Sequence, residues 1–246
     1  MHVSIEDYVA TLSFDRPEKA NALREQDWAE LDDQLTNLST HGDVRVIVLT
    51  GQGDYFSAGI DLGTLQSLMT RSFENHAEKE AFIFSFIQKL QEAVNAIEKC
   101  SKPVIAAVNG PCIGGGLDIA AACDMRYCSE NAYFCLKEID LGIVADLGVL
   151  QRLPYIINPG LVSEMAYTAR KVYGLEAKQI GLVNDCYASA EELLQKVSDL
   201  AKVMAEKPVA VVQGIKASML HQREHSVQEG LDWIARENAK MMSKMF

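Results

Sequence analysis

Apolar and polar residues along the first half of the chain switch between a period of two and a helical period. Residues 3–14 (VSIEDYVATLSF) alternate, as a half-buried strand does, until Asp15-Arg16-Pro17-Glu18 breaks the pattern. From about Arg24 to Ser39, Trp28, Leu31, Leu35 and Leu38 fall on one face of a helix. Val44 to Thr50 is continuously apolar and β-branched, the pattern of a strand covered on both faces. Gly51-Gln52-Gly53-Asp54 then turns the chain, and Phe82 to Ile97 reads as an amphipathic helix. A second buried strand spans Val104 to Val108, between Pro103 and Asn109-Gly110, and Gly114-Gly115-Gly116 opens a small-residue helix over Leu117–Cys123. Such strand–helix units predict a parallel sheet with right-handed crossovers. From about Pro159 the pattern turns helical, with helices expected over Leu161–Ala169, Ala190–Ala205, Val209–His221 and Val227–Met242. The expected organisation is an α/β core over residues 1–190. A helical region over 191–246 packs on that core or on a neighbouring subunit.

Composition narrows the class. Of 246 residues 48% are hydrophobic and 23% charged, ordinary for a globular chain. No apolar run reaches membrane-span length, so no membrane partner is expected. Net charge is −11 and no basic run offsets it, which argues against a nucleic-acid partner and means that a phosphate group would need local N–H groups or cations. Cys100, Cys112, Cys123, Cys128, Cys135 and Cys186 include no C-x-x-C pair and mostly sit in apolar sequence, as packed thiols do. The five histidines lack metal-ligand spacing, so no metal site is expected. Neither Met1–Ala10 nor the final Lys244-Met245-Phe246 resembles a targeting signal. A cytoplasmic location is the default, and a processed mitochondrial or peroxisomal chain would read the same.

Two glycine-containing loops each follow a strand and precede a helix: Phe56-Ser57-Ala58-Gly59-Ile60-Asp61 and Gly114-Gly115-Gly116-Leu117-Asp118. Unpaired N–H groups at such positions stabilise an oxyanion if two converge on one point. Each loop alone is equally well explained by a turn or by close helix–strand packing. Glu138 and Asp146 stand in otherwise apolar sequence, where a carboxylate is costly unless paired, solvated or functional. Asp124 reads as a structural partner of Arg126 or of a nearby N–H.

Taken in order, Phe56-x-Ala58-Gly59-x-Asp61, Lys102-Pro103-Val104-Ile105-Ala106-Ala107-Val108-Asn109-Gly110, Gly114-Gly115-Gly116 and Gln151-Arg152-Leu153-Pro154 resemble the crotonase (enoyl-CoA hydratase/isomerase) family. The resemblance extends from Asp15-Arg16-Pro17 through Gly181-Leu182-Val183 to the last helix. It implies a spiral of ββα turns, a homotrimer or a hexamer of two trimers, and a bent CoA thioester along the first loop. It places the oxyanion-hole N–H groups on Ile60 and Gly115 and CoA contacts on Ser57, Ala58, Gly59, Ile60 and Asp61. CoA is then part of the substrate, and no separate cofactor is implied.

Hydratases of the family usually carry Glu at the positions of Asp118 and Glu138, with Gly at that of Asp146. Asp118, Glu138 and Asp146 together look like the catalytic triad of the Δ3,5-Δ2,4-dienoyl-CoA isomerases, as do Lys137-Glu138-Ile139-Asp140 and Ala145-Asp146-Leu147-Gly148. The resemblance therefore implies conversion of 3,5- to 2,4-dienoyl-CoA in fatty acid β-oxidation. The rival readings are hydration of a 2-enoyl-CoA and, from another class, a non-catalytic RNA-binding or scaffold protein.

Overall fold

A computed structural model describes residues 1–243. The C-terminal tripeptide Lys244-Met245-Phe246 lies outside the described residues. The N-terminal segment, expected as a single strand, is a hairpin of β1 (His2–Glu6) and β2 (Val9–Phe14), paired from His2↔Ser13 to Glu6↔Val9. Asp7 and Tyr8 form its two-residue turn with φ of 49° and 63°. Such turns usually carry glycine at the second position, so Tyr8 hid the reversal, and the alternation continued through it undisturbed.

Helix α1 (Glu25–Thr40) buries Trp28, Leu31, Leu35 and Leu38. Its start is held by Asp27, whose carboxylate accepts from the Arg24 N–H at 2.7 Å and from the Arg24 guanidinium at 2.9 Å. Strand β3 (Val46–Gly51) follows, then α2 (Leu62–Thr70), α3 (His76–Lys99), β4 (Val104–Val108), β5 (Cys112–Ile113), α4 (Gly115–Ala122), β6 (Met125–Ser129) and β7 (Tyr133–Cys135). After a 3-10 turn at Glu138–Leu141 come α5 (Val149–Arg152), α6 (Pro159–Thr168), β8 (Val172–Tyr173), α7 (Gly174–Gln179) and β9 (Asp185–Tyr187). Three longer helices close the chain: α8 (Ala190–Ala205), α9 (Val209–Gln222) and α10 (Val227–Met242).

The main sheet has the order β1-β2-β3-β4-β6-β9, parallel throughout except for β1 against β2. A small second sheet, β5-β7-β8, stands beside it. Strands β3 and β4 are covered on both faces, which is why they read as unbroken apolar runs. Ala10, Leu12, Phe14, Ile47, Leu49, Val104, Ala106 and Val108 point into the larger core with α1, α3 and α4. The alternate residues Val9, Val46, Val48, Ile105 and Ala107 meet Leu193, Val197, Ala201 and Ala205 of α8. Helix α8 therefore completes the packing of the sheet.

Helices α9 and α10 bury little. The one buried residue of α9 is Lys216, whose ammonium donates to the carbonyls of Ile97 (2.9 Å) and Lys102 (3.1 Å) and pairs with Asp124 at 2.9 Å. Asp124 also accepts from the Val104 N–H at 2.7 Å, whereas Arg126 donates to the carbonyls of Ala120, Cys123 and Leu182. Of the two partners expected for Asp124, the N–H is found, on Val104, while Lys216 takes the place of Arg126, which is consumed by main-chain carbonyls at the end of α4. All six cysteines are free thiols, five of them buried. Among the described residues no helix is long and apolar enough to cross a membrane.

Candidate active site

Strand β3 delivers the chain into the first glycine loop, and buried polar residues fix its path. Asn109 accepts from the Gly51 N–H (3.0 Å) and donates to the Gly53 carbonyl (2.8 Å). The Asn21 amide donates to the carbonyls of Gln52 (2.9 Å) and Tyr55 (2.7 Å). Phe56 is fully buried with its ring edge-on to Phe14, centroids 5.4 Å apart. The Ser57 hydroxyl donates to the Asn21 carbonyl (2.9 Å) and accepts from the Gly59 N–H (3.1 Å). Gly59 has a φ of +79°, and a Cβ there would stand 2.8 Å from the Gly115 nitrogen, so only glycine lets the two loops touch.

The second loop turns at Gly114, whose φ is +52°, and α4 starts at Gly115. Ile60 and Gly115 flank the contact between the loops. Neither N–H donates to another group among the described residues, and that of Gly115 sits at the helix N-terminus. Both residues line a cavity of about 890 Å³. Leu65, Leu68, Ile83, Phe86 and Leu90 of α2 and α3 supply an apolar wall, and Arg16, Lys19 and Lys137 supply cations. Arg16 is largely neutralised by Asp61 (3.1 Å) and Asp27 (3.6 Å), and Lys137 pairs with Asp140. Lys19 makes no ion pair among the described residues.

Glu138 and Asp146 line the same cavity, from the 3-10 turn and from the loop before α5. The Glu138 carboxylate lies against the glycine turn, its Oε1 3.1 Å from where a Gly114 Cβ would be, and its buried Oε2 has no partner. Burial raises its pKa above the usual carboxylate range, and the charge of Asp146 adds to this. Burial raises the pKa of Asp146 too. The Asp146 segment is held by Gln91, which donates to the Asp146 carbonyl at 2.6 Å, and by Arg152, which donates to the Leu147 carbonyl at 3.2 Å.

Three residues expected at the site stand behind its surface. Asp118 is 1% exposed and does not line the cavity, because α4 turns its side chain toward α5, where Oδ1 accepts from the Val149 N–H at 2.7 Å. Its Oδ2 is buried without a partner. Burial first, and then the nearby Glu138 charge, push its pKa up to about 8. Ser57 is fully buried, with its hydroxyl spent on the loop, and Gly59 packs on Gly115. Ala58, Ile60 and Asp61 do reach the cavity, although the Asp61 carboxylate also caps α2 through the Gly63 and Thr64 N–H groups. Sequence reasoning missed Asn21, Lys19 and Gln91. Asn21 is buried at a φ of +53°, a conformation asparagine tolerates, and Lys-Ala-Asn-Ala after a strand break held that one clue. Among the described residues no cluster of three or more potential metal ligands occurs.

The enoyl-CoA hydratase/isomerase family model matches residues 4–245. The chain belongs to that family. It is 45% identical over 233 residues, covering 94% of this chain and 84% of the relative, to a protein named peroxisomal Δ(3,5)-Δ(2,4)-dienoyl-CoA isomerase from Arabidopsis thaliana. It is 40% identical over 241 residues, covering 97% of this chain and 74% of the relative, to one named mitochondrial Δ(3,5)-Δ(2,4)-dienoyl-CoA isomerase from Homo sapiens. Among solved structures, an enoyl-CoA hydratase from Bacillus anthracis superposes with a TM-score of 0.88 at 28% identity, covering 99% of this chain and 92% of that one. A Thermobifida fusca structure in complex with CoA gives the same TM-score and identity, covering 99% and 93%. The expected crotonase fold is the fold observed.

Proposed function

We propose that the protein converts 3,5-dienoyl-CoA to 2,4-dienoyl-CoA. The observation that carries this reading is one cavity holding two carboxyl groups, Glu138 and Asp146, beside two free N–H groups, those of Ile60 and Gly115. A 3,5-dienoyl thioester is acidic at C2. Loss of that proton leaves an anion spread from the thioester oxygen to C6, and protonation at C6 gives the conjugated diene. The two carbons are four bonds apart, which suits two carboxyls, one ionised and one protonated. Their shared burial and mutual repulsion favour that mixed state.

The Ile60 and Gly115 N–H groups would hold the thioester oxygen as it gains charge, a contribution of roughly 3 kcal/mol per donor. The apolar wall of α2 and α3 suits an acyl chain, and Lys19 and Lys137 suit the CoA phosphates that the net charge would otherwise repel. Asp118, raised to about 8, stays neutral at pH 7 and so adds no third negative charge behind Glu138. It acts as a positioning residue. No metal or redox group takes part in this scheme, since the carboxyls move the protons and CoA is carried by the substrate. We place the reaction in fatty acid β-oxidation, in a cytoplasmic or organellar compartment, and assign to α9 and α10, the part of residues 191–246 that follows α8, a role in forming a trimer or hexamer.

The test is to supply purified protein with 3,5-dienoyl-CoA and 2-enoyl-CoA side by side. Growth of conjugated-diene absorbance supports isomerisation. Turnover of the enoyl substrate alone overturns it in favour of hydration.

A further inference from the structure

Asp146 borders a second cavity. Besides the first cavity, it lines a space of about 390 Å³ together with Gln91, Asn95, Glu98, Gln151 and Arg152. Most of these residues carry polar side chains, and parts of the lining are fixed. Arg152 donates to Glu98 at 2.7 and 3.0 Å and to the Asn95 side-chain oxygen at 2.7 Å. Burial works to raise the pKa of Glu98, but Arg152 and Arg223 outweigh it and hold the carboxyl below its usual range. Glu98 is therefore a fixed counter-charge and stores no proton. Among the described residues no side chain hydrogen-bonds to or pairs with the Asp146 carboxylate, and Gln91 is bonded to its main-chain carbonyl. The space has room for waters and offers them the several polar partners that each requires.

The two-carboxyl reaction creates a need that this cavity meets. The C2–H bond breaks, its electron pair stays in the dienolate, and the proton goes to the base. The dienolate then forms the C6–H bond with the proton of the acid. The two carboxyls end the turnover with their protonation states exchanged, and each must be reset. Glu138 faces the cavity that the ligand occupies, so it resets when product leaves. Asp146 lines that cavity and the second one as well. We propose that Asp146 is reset through the second cavity, exchanging its proton with solvent while the acyl-CoA still fills the first. Acting as acid, Asp146 takes a proton from a water, whose hydroxide passes to solvent. Acting as base, it releases a proton to water as hydronium. This inference rests on the isomerase reading.

The test runs the full-length protein in D₂O to low conversion and locates deuterium in product and recovered substrate. It compares wild type with Asn95→Leu and Gln151→Leu, which dry the second cavity from α3 and α5 and do not line the first. Wild type is expected to carry solvent deuterium at the carbon served by Asp146. Each variant is expected to lose steady-state rate several-fold, with the first-turnover rate and acyl-CoA affinity unchanged. Imidazole, as a small proton carrier, is expected to restore part of the loss. Gln151 is exposed on its short helix, so its variant tests the idea even if Asn95→Leu folds poorly. Wild-type steady-state rates in both variants would overturn the inference, as would a wild-type product whose C6 hydrogen comes wholly from C2 of the substrate. Failure of the isomerase reading is distinguishable, because wild type itself would then form no conjugated diene from 3,5-dienoyl-CoA.

Discussion

Asp118→Asn separates what the buried carboxyl costs from what it does. The native pKa is about 8 against an ordinary 3.8. Below about pH 4 the carboxyl is protonated in both folded and unfolded chains and does not tilt the balance. Between about pH 4 and pH 8 the unfolded chain gains by ionising while the folded chain keeps its proton. Stability therefore falls as pH rises through that window. At about 1.4 kcal/mol per pH unit, the penalty at pH 7 approaches 4 kcal/mol. Asparagine keeps the shape and the oxygen that accepts from Val149, and it never ionises. The variant should match wild type near pH 4 and exceed it by up to about 4 kcal/mol at pH 7, or roughly 10 °C in Tm for a chain of this size. Urea and thermal melts across pH 4–8 at one protein concentration measure the difference. Glu138 and Asp146 contribute the same sign in both proteins and largely cancel. Parallel stability curves for the two proteins would show that Asp118 is not protonated in the native state.

Asp146→Asn should lower kcat by about 10²–10⁴ with acyl-CoA affinity kept within a few fold, measured by diene absorbance and by titration. If Asp146 serves C6, that variant still exchanges C2 hydrogen with D₂O through Glu138; if it serves C2, exchange and isomerisation fail together. Leu193→Ala opens a hole between α8 and the sheet and should cost about 2–5 kcal/mol in urea melts. Saturating acyl-CoA should raise the melting temperature through binding to the native state alone, and an unchanged melt would count against the site. Light scattering should report a trimer or hexamer, since Val211, Ile215, Met219, Val227 and Leu231 leave α9 and α10 with exposed apolar surface.

Much of this fold could be read from the chain because its signals are local. The two buried strands β3 and β4 were bounded by Gly and Pro, and α8 and α10 carried their own periodicity and serine caps, Ser189 and Ser226. The β1–β2 turn was missed because its reversal depends on two left-handed residues that sequence does not mark. Glu138 and Asp146 stood out as acids in apolar sequence, and the cavity holds both. Asp118 joined them only through the family resemblance. Its retreat behind the wall follows from the direction in which α4 points its first turn, and that is a tertiary fact. Gln91 could not be found from sequence, because a glutamine on a long amphipathic helix has no distinguishing pattern until Asp146 is seen beside it.

The contact between Gly59 and Gly115 also bears on how the chain acquires its chemistry. The two unpaired N–H groups come from separate loops with α2, α3 and β4 strung between them, and neither loop forms the pair alone. During refolding, helical signal can return with α3 and α8 while the paired donors are still apart. Thioester binding should therefore be among the last properties regained, and it can serve as a clock for the closing step of assembly.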